Sequence, residues 1–437
     1  MLIFAAYMAV LFLIAFIRGL QKRRRGIEFV TGGRRNGGPA LAASLLATVI
    51  GASATLGVAD LVPQYGAAAI WWLFLGSLGL ILMACLTIGP LYRLRAVSVI
   101  DALSRLAGGR VALIAASILA FAWIGIIAAQ FVALGRVMTG LEGGGDPAPS
   151  ILLTACVLTA YMAFGGQEAL LRADHLQLFV LFFGVGAAFF IVMPAQGGGG
   201  FTIEPVFNER FSPGDLVLLA FPLLGAYMLG PDLFGRANSA RSLKDARLAL
   251  LLASLGVFIF AVLIISLALY ATGLTESEHP LLGAFLHTLP KEAAWLFCLA
   301  LVAAMASSVD TCLLTVSSVL CYDIAGTRRV GALRFFMVAA ALAAAALALL
   351  FREIIPLLLA AYTVYTGAIA APFLVALLAR ERRFRVREGG FIAAMLLGGV
   401  CALPAVIFVL PFLPLVGIGV GAAVSLLSLR RVDGEET

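Results

Sequence analysis

From Ala304 to Ser318 the chain reads AMASSVDTCLLTVSS, with seven polar side chains between apolar flanks. At about 100° per residue on a helix, Ala304, Ser307, Ser308, Thr311, Thr315 and Ser318 share an arc of roughly a quarter turn, and Asp310 lies just beside it. Hydroxyl oxygens gathered on one face can replace part of the water shell of a hard cation. They can also hydrogen-bond a neighbouring helix or their own i−4 carbonyls. Packing explains the hydroxyls well and Asp310 poorly, because an acid in apolar surroundings needs a partner. A second acid, Asp174, follows Arg172 in GGQEALLRADHLQLFV. An interfacial ion pair, a first-turn acid and a functional carboxylate all fit it.

Two further stretches carry chemistry through their backbone. SLLATVIGASATLGVADLVPQYG gathers Gly51, Ala52, Ser53, Ala54, Thr55 and Gly57 before Asp60 and Pro63. DLVLLAFPLLGAYMLGPDLFGR is interrupted by Pro222, Gly225, Gly230 and Pro231. Small residues permit close helix packing, but a run of five beside a glycine favours an unwound turn, whose free carbonyls suit a hard cation. Catalytic constellations are missing. The six Cys are not spaced as metal ligands, the three His are scattered, and there is no phosphate loop, nucleophile elbow or zinc motif. The chain is not expected to be an enzyme.

The elements that position these residues must be membrane helices. Of 437 residues 62% are hydrophobic and 12% charged, against about 45–50% and about 25% in soluble domains. Thirteen segments approach the roughly 20 apolar residues of a span, at approximately 2–18, 39–62, 67–91, 110–138, 149–166, 171–195, 213–235, 247–272, 293–320, 334–351, 354–379, 389–410 and 412–429. Little length remains for a soluble domain. The first segment has no basic residue before it and QKRRR after it, unlike a cleavable signal. With the N-terminus outside and the C-terminus cytoplasmic, 26 of the 30 Lys and Arg fall inside, leaving Arg136, Arg210, Lys291 and Arg352 outside. The net charge of +7 then reads as an anchor against anionic lipid rather than a nucleic-acid surface. This predicts a multi-pass protein of the cell (inner or plasma) membrane with the lipid bilayer as partner, no nucleic acid and no obligate protein partner.

The interrupted segments are the second and the seventh, five apart, so segments 2–6 and 7–11 would form two inverted halves. The ninth segment's ASSVDTCLLTVSSVLCYDI resembles the SSxDSxLLxxSSxxxxDI signature of the sodium:solute symporter family, which includes sodium-coupled sugar, proline, pantothenate and sialic-acid carriers. In the same order, SLLATVIGASATLGVADLVPQYGAAAIWW resembles the family's first core helix, GGQEALLRADHLQ its GGxxAVxxTDxxQ element, and GPDLFGRANSARSLKDAR its GxPxxxqR element with Arg236 at the Arg position. The resemblance covers nearly the whole chain. It implies an all-α membrane protein of thirteen transmembrane helices with a five-plus-five inverted repeat (LeuT-type). The single transporter domain would comprise an extra N-terminal helix and basic loop (1–38), repeats at 39–195 and 213–379, and two C-terminal helices (389–429).

By motif, the resemblance places a Na+ site on the carbonyls of Ala47, Ile50 and Ala304 and the hydroxyls of Ser307 and Ser308. A second sodium or proton site would use Asp174, Asp310 and Thr311, with Ser308 nearby. Asp310 departs from the purely hydroxyl version of that site. Solute contacts would come from Ser53, Thr55, Trp72, Gln130, Tyr227, Tyr362 and Thr366. Their few polar handles favour a small solute, an amino acid or short carboxylate. The expected function is sodium-coupled symport of a small organic solute into the cell by alternating access. A proton-coupled carrier of the same fold and a solute-sensing domain that does not transport are the alternatives.

Overall fold

The first core segment breaks where the small residues gather. In the computed structural model, which describes residues 6–13, 36–165, 167–192, 205–274, 279–408 and 413–431, helix α1 (Gly38–Val49) stops at Ile50, whose ψ of 87° leaves the helical region. A π turn over Ser53–Gly57 restarts the segment, and α2 (Val58–Tyr65) completes it. Gly66, at φ 59° and ψ −140°, a conformation open to glycine, ends α2 and lets α3 (Trp71–Leu82) take a new course. The other helices of the central group are α4 (Gly109–Leu141), α5 (Gln167–Val192), α6 (Pro213–Leu229), α7 (Pro231–Ala237), α8 (Leu243–Thr272), α9 (Lys291–Ser318) and α10 (Ile354–Tyr365).

The seventh expected segment is broken too, at one point only. Gly230, at φ −56° and ψ 125°, separates α6 from α7, and Pro231 opens α7 where its missing N–H costs nothing. The carbonyls that lose helical donors there are recovered by side chains: Thr87 Oγ1 donates to Met228 O (2.8 Å) and Tyr365 Oη to Leu229 O (2.6 Å). Pro222 stays inside α6, and its carbonyl accepts from Thr366 Oγ1 (2.9 Å). Gly225 serves close packing, since a Cβ there would lie 2.2 Å from Thr366 Cγ2.

The described part of each expected segment from 39–62 onward lies mostly on helix; 166, 193–195, 409–410 and 412 lie outside the described residues. Among the described residues, eight helical stretches are long and apolar enough to cross a membrane; Gly38–Val49, Ala148–Phe164, Glu388–Leu403 and Pro414–Leu427 are apolar but shorter. Of segment 2–18 only 6–13 is described, as helix. Arg18, Lys22–Arg25, Arg34, Arg35 and the tail beyond 431 lie outside the described residues.

The structure is mostly helical, as expected, with one small addition. A two-stranded antiparallel ribbon, β1 (Phe384–Val386) with β2 (Leu429–Arg431), ties together the chain on either side of the last two helices. Two short helices between spans are also absent from the sequence expectation, Val99–Ala107 and Pro280–Thr288. They are too short to cross a bilayer, and an apolar-length criterion passes over them.

Polar side chains tie α1, α5 and α9 to one another. The α1 break packs directly on α4 and α9: a Cβ on Gly51 would lie 2.4 Å from Ser308 Oγ and 2.8 Å from Gln130 Oε1. The last two helices (Glu388–Phe408 and Leu413–Leu427) pack on a π turn at Thr366–Ala370. Glycine makes that approach possible, since a Cβ on Gly398 would lie 2.2 Å from Gly367 O, and one on Gly421 2.5 Å from it.

Candidate functional site: a broken helix facing a hydroxyl stripe

The α1 break redirects two amides. Gly51 N–H donates to Val49 O (3.1 Å) and Ala52 N–H to Gln130 Oε1 (2.7 Å). A continuous helix would have sent them to Ala47 O and Thr48 O. Thr48 O accepts instead from Ser308 Oγ on α9 (2.8 Å), which also reaches Ala304 O at 3.4 Å. Ala47 O is released from its Gly51 donor. Ala47, Ile50 and Ala304 are each at most 1% exposed, so their carbonyls lie in a dry interior.

Next to this break stands an ionic cluster with no exposed side chain. Asp174 on α5 accepts from Ser307 Oγ (2.7 Å to Oδ1) and Ser44 Oγ (2.6 Å to Oδ2). Arg236, from α7, donates to Asp174 Oδ2, to Ser44 Oγ (2.6 Å) and to Thr311 Oγ1. Thr311 in turn donates to Ser307 O (3.0 Å) and lies 3.4 Å from Thr48 Oγ1. One hydroxyl of the pair thus gives its proton to Asp174 and the other to Thr48 O. Each keeps oxygen lone pairs, the group a cation requires.

Where α1 meets α9, Ser308 touches Thr48 and Gly51; Ala47 and Ile50 flank Thr48 on the α1 side, and Ala304 and Ser307 precede Ser308 on α9. Asp174 and Thr311 lie together as well, but around the guanidinium of Arg236. Asp310 stands apart from that hydrogen-bonded set. It is fully buried, and among the described residues neither of its oxygens has a hydrogen-bond partner. Tyr161 and Gln177 stand beside it without completing hydrogen bonds to it.

A small cavity of about 40 Å³ opens beside the break, lined by Ser53, Gln130, Tyr227 and Tyr362 from the expected solute set, together with Trp123 and Asp232. Thr55, Trp72 and Thr366 do not line it. Thr55 Oγ1 donates back to Gly51 O (2.8 Å), Thr366 binds Pro222 O, and Trp72 is 1% exposed within the core. Sequence reasoning missed Trp123 and Asp232. Asp232 carries a signal, an acid beside the Gly230–Pro231 interruption, but the motif around it points to Arg236 alone.

No family model matches the chain. Three sodium-coupled carriers are similar to it in sequence, each 26% identical. The sodium/pantothenate symporter of Escherichia coli strain K12 aligns over 356 residues, 73% of this chain and 71% of that protein. The sodium-coupled monocarboxylate transporter 2 of Bos taurus covers 63% of the chain, which spans 47% of that protein. The sodium/iodide cotransporter of Homo sapiens covers 56%, and the chain spans 40% of that protein. In fold, a substrate-bound, outward-open Na+-coupled sialic acid symporter superposes with a TM-score of 0.75 at 17% identity, covering 98% of both chains. A closed transporter of the nucleobase-cation-symport-1 family superposes at 0.62 and 17% identity, covering 91% of this chain and 93% of its own. The motif resemblance thus stands: the chain is similar in sequence to sodium-coupled carriers, and its fold is that of a Na+-coupled symporter.

Proposed function

We propose that the chain is a sodium-coupled symporter of a small organic solute, working by alternating access between two five-helix inverted halves within thirteen spans. The observation that carries this reading is the α1 break packed on Ser308, with Ser307 beside it on α9. A bare Na+ can rest at membrane depth only where several oxygens replace its water together. Here the carbonyls of Ala47, Ile50 and Ala304 and the hydroxyls of Ser307 and Ser308 provide that set. The ion would join α1 to α9, so its binding energy would favour one arrangement of the two helices over others. The sequence kinship to sodium-coupled carriers supports the same reading. With Lys and Arg setting the orientation, uptake would run into the cell.

For the second ion, the surroundings favour one of the two acids. Asp174 already has a cationic partner in Arg236. Asp310 has none among the described residues, so a proton or second cation would be held there, beside Tyr161 and Gln177. This is the observation that keeps proton coupling as the second reading; uptake driven by a pH gradient in sodium-free vesicles would favour it.

The test of the sodium site is Ser307→Ala combined with Ser308→Ala. In proteoliposomes with an inward Na+ gradient we expect the double variant to lose sodium-driven uptake and to elute in detergent as wild type does. Wild-type uptake by that variant would refute the assignment.

A further inference from the structure

The chamber beside the α1 break holds an acid and no base. Among the described residues lining it there is no Lys, Arg or His, whereas Asp232 faces into it from the first turn of α7. The nearest guanidinium, Arg236 one turn on, makes its hydrogen bonds with Asp174, Ser44 and Thr311. The Trp123 indole N–H, 2% exposed, faces the Asp232 carboxyl without closing a hydrogen bond.

Three aromatic side chains complete the walls. Tyr227 and Tyr362 stand with ring centroids 6.3 Å apart, inclined at 58°. Tyr227 is pressed into place by Gly76 and Gly79, where a Cβ would lie 3.1 and 2.5 Å from it. Trp123 is held edge-on by Tyr365 at 4.7 Å. A carboxylate framed by aromatic faces recognises a cation, through its charge and through the ring quadrupoles. The same carboxylate repels an anionic solute, and the chamber offers no positive side chain in compensation. Gln130, on the same lining, has its oxygen tied to Ala52 N, which leaves its amide nitrogen as the donor for a polar tail.

We propose that this chamber selects a small solute bearing a cationic amine, with Asp232 as its counter-ion and Trp123, Tyr227 and Tyr362 as the walls around it. The proposal rests on reading the chain as a symporter, and it chooses the amine-bearing alternative over a plain carboxylate. Asp232 also borders a second cavity, which runs past Arg236 towards residues 97–100. The counter-ion therefore stands where the chamber meets that path, and it can follow the amine as the solute leaves.

The experiment measures uptake of radiolabelled choline, ethanolamine, L-alanine, lactate and pantothenate in proteoliposomes, with and without an inward Na+ gradient. We expect uptake among the three amines and none of lactate or pantothenate. Asp232→Asn should weaken apparent affinity for the amine by more than ~30-fold, as losing one partner of a buried charge pair does, and Asp232→Glu should restore some of it. Sodium-dependent thermal stabilisation of the Asn variant reports that it is folded. Uptake of lactate or pantothenate, or no uptake of any amine, would overturn the chamber assignment and leave sodium coupling standing in the first case. Amine uptake indifferent to sodium would support the chamber and overturn the symport reading. If Asp232→Asn abolished the sodium stabilisation while leaving solute preference unchanged, Asp232 would be an ion ligand and the proposal would fail.

Discussion

Arg236 is the residue on which the buried cluster depends. It is 0% exposed, as is Asp174, and its two terminal nitrogens serve α1, α5 and α9 at once. Removing one member of a buried ion pair leaves the other charge unanswered, at a cost of about 3–5 kcal/mol. Arg236→Ala should therefore lower the melting temperature sharply, and adding Asp174→Asn should recover some of the loss. A single and a double variant with equal melting points would show that the pair is not the source. Arg236 can be aligned with a motif from the sequence, and Asp174 and Thr311 can be singled out there. That the three meet cannot be read from it, because their contact joins residues 62 and 75 positions apart. The isolation of Asp310 is equally hidden: it sits on the edge of the hydroxyl stripe in a helical projection and faces a different set of neighbours in space.

At the scale of elements, the two interruptions are the most legible feature. Five small residues beside a glycine mark the α1 break, and Gly230–Pro231 marks the α6–α7 break. Pro222 and Gly225 look alike in sequence and prove to be packing residues, because a side-chain donor and a tight neighbour absorb them within an intact helix. The solute set divides in the same way. Thr55 and Thr366 are polar at the right depth, but each hydroxyl is engaged with a backbone carbonyl. The α1 break makes a sharp prediction. Gly51→Ala places a methyl 2.4 Å from Ser308 Oγ and 2.8 Å from Gln130 Oε1, both already in place for other bonds. It should abolish sodium-driven uptake, whereas Gly235→Ala, where a Cβ meets nothing within 4 Å, should be tolerated. Equal uptake by the two variants would count against a close α1–α9 contact.

For the molecule as a whole, the charge pattern has a spatial counterpart. Three of the four basic residues expected outside gather at one end: Arg136 pairs with Asp60 (2.9 Å), Arg352 with Asp146 (3.3 Å), and Arg210 reaches Pro63 O (3.4 Å). Elsewhere Arg93 pairs with Glu381 (2.8 Å), Arg105 with Asp101 (3.0 Å) and Arg241 with Asp245 (2.8 Å). These belong to the group expected inside. Orientation can be checked directly. Single cysteines at 352 and 241, in a background lacking the exposed Cys85 and Cys156, should react with a membrane-impermeant maleimide applied to intact cells at 352 only. Labelling at 241 alone would reverse the assignment.

The Arg136 knot has its own consequence. This one guanidinium holds Asp60 of α2, Glu353 at 3.6 Å and the carbonyl of Arg352, while His279 grips the same Asp60 oxygen at 3.1 Å. Beside it lies a cavity of about 480 Å³ bounded by Asp60, Tyr65 and Glu353. Arg136 and Asp60 thus link four segments of the chain at one point, so loss of that one guanidinium would loosen α2, α4 and the stretches at 279 and 352–353 together.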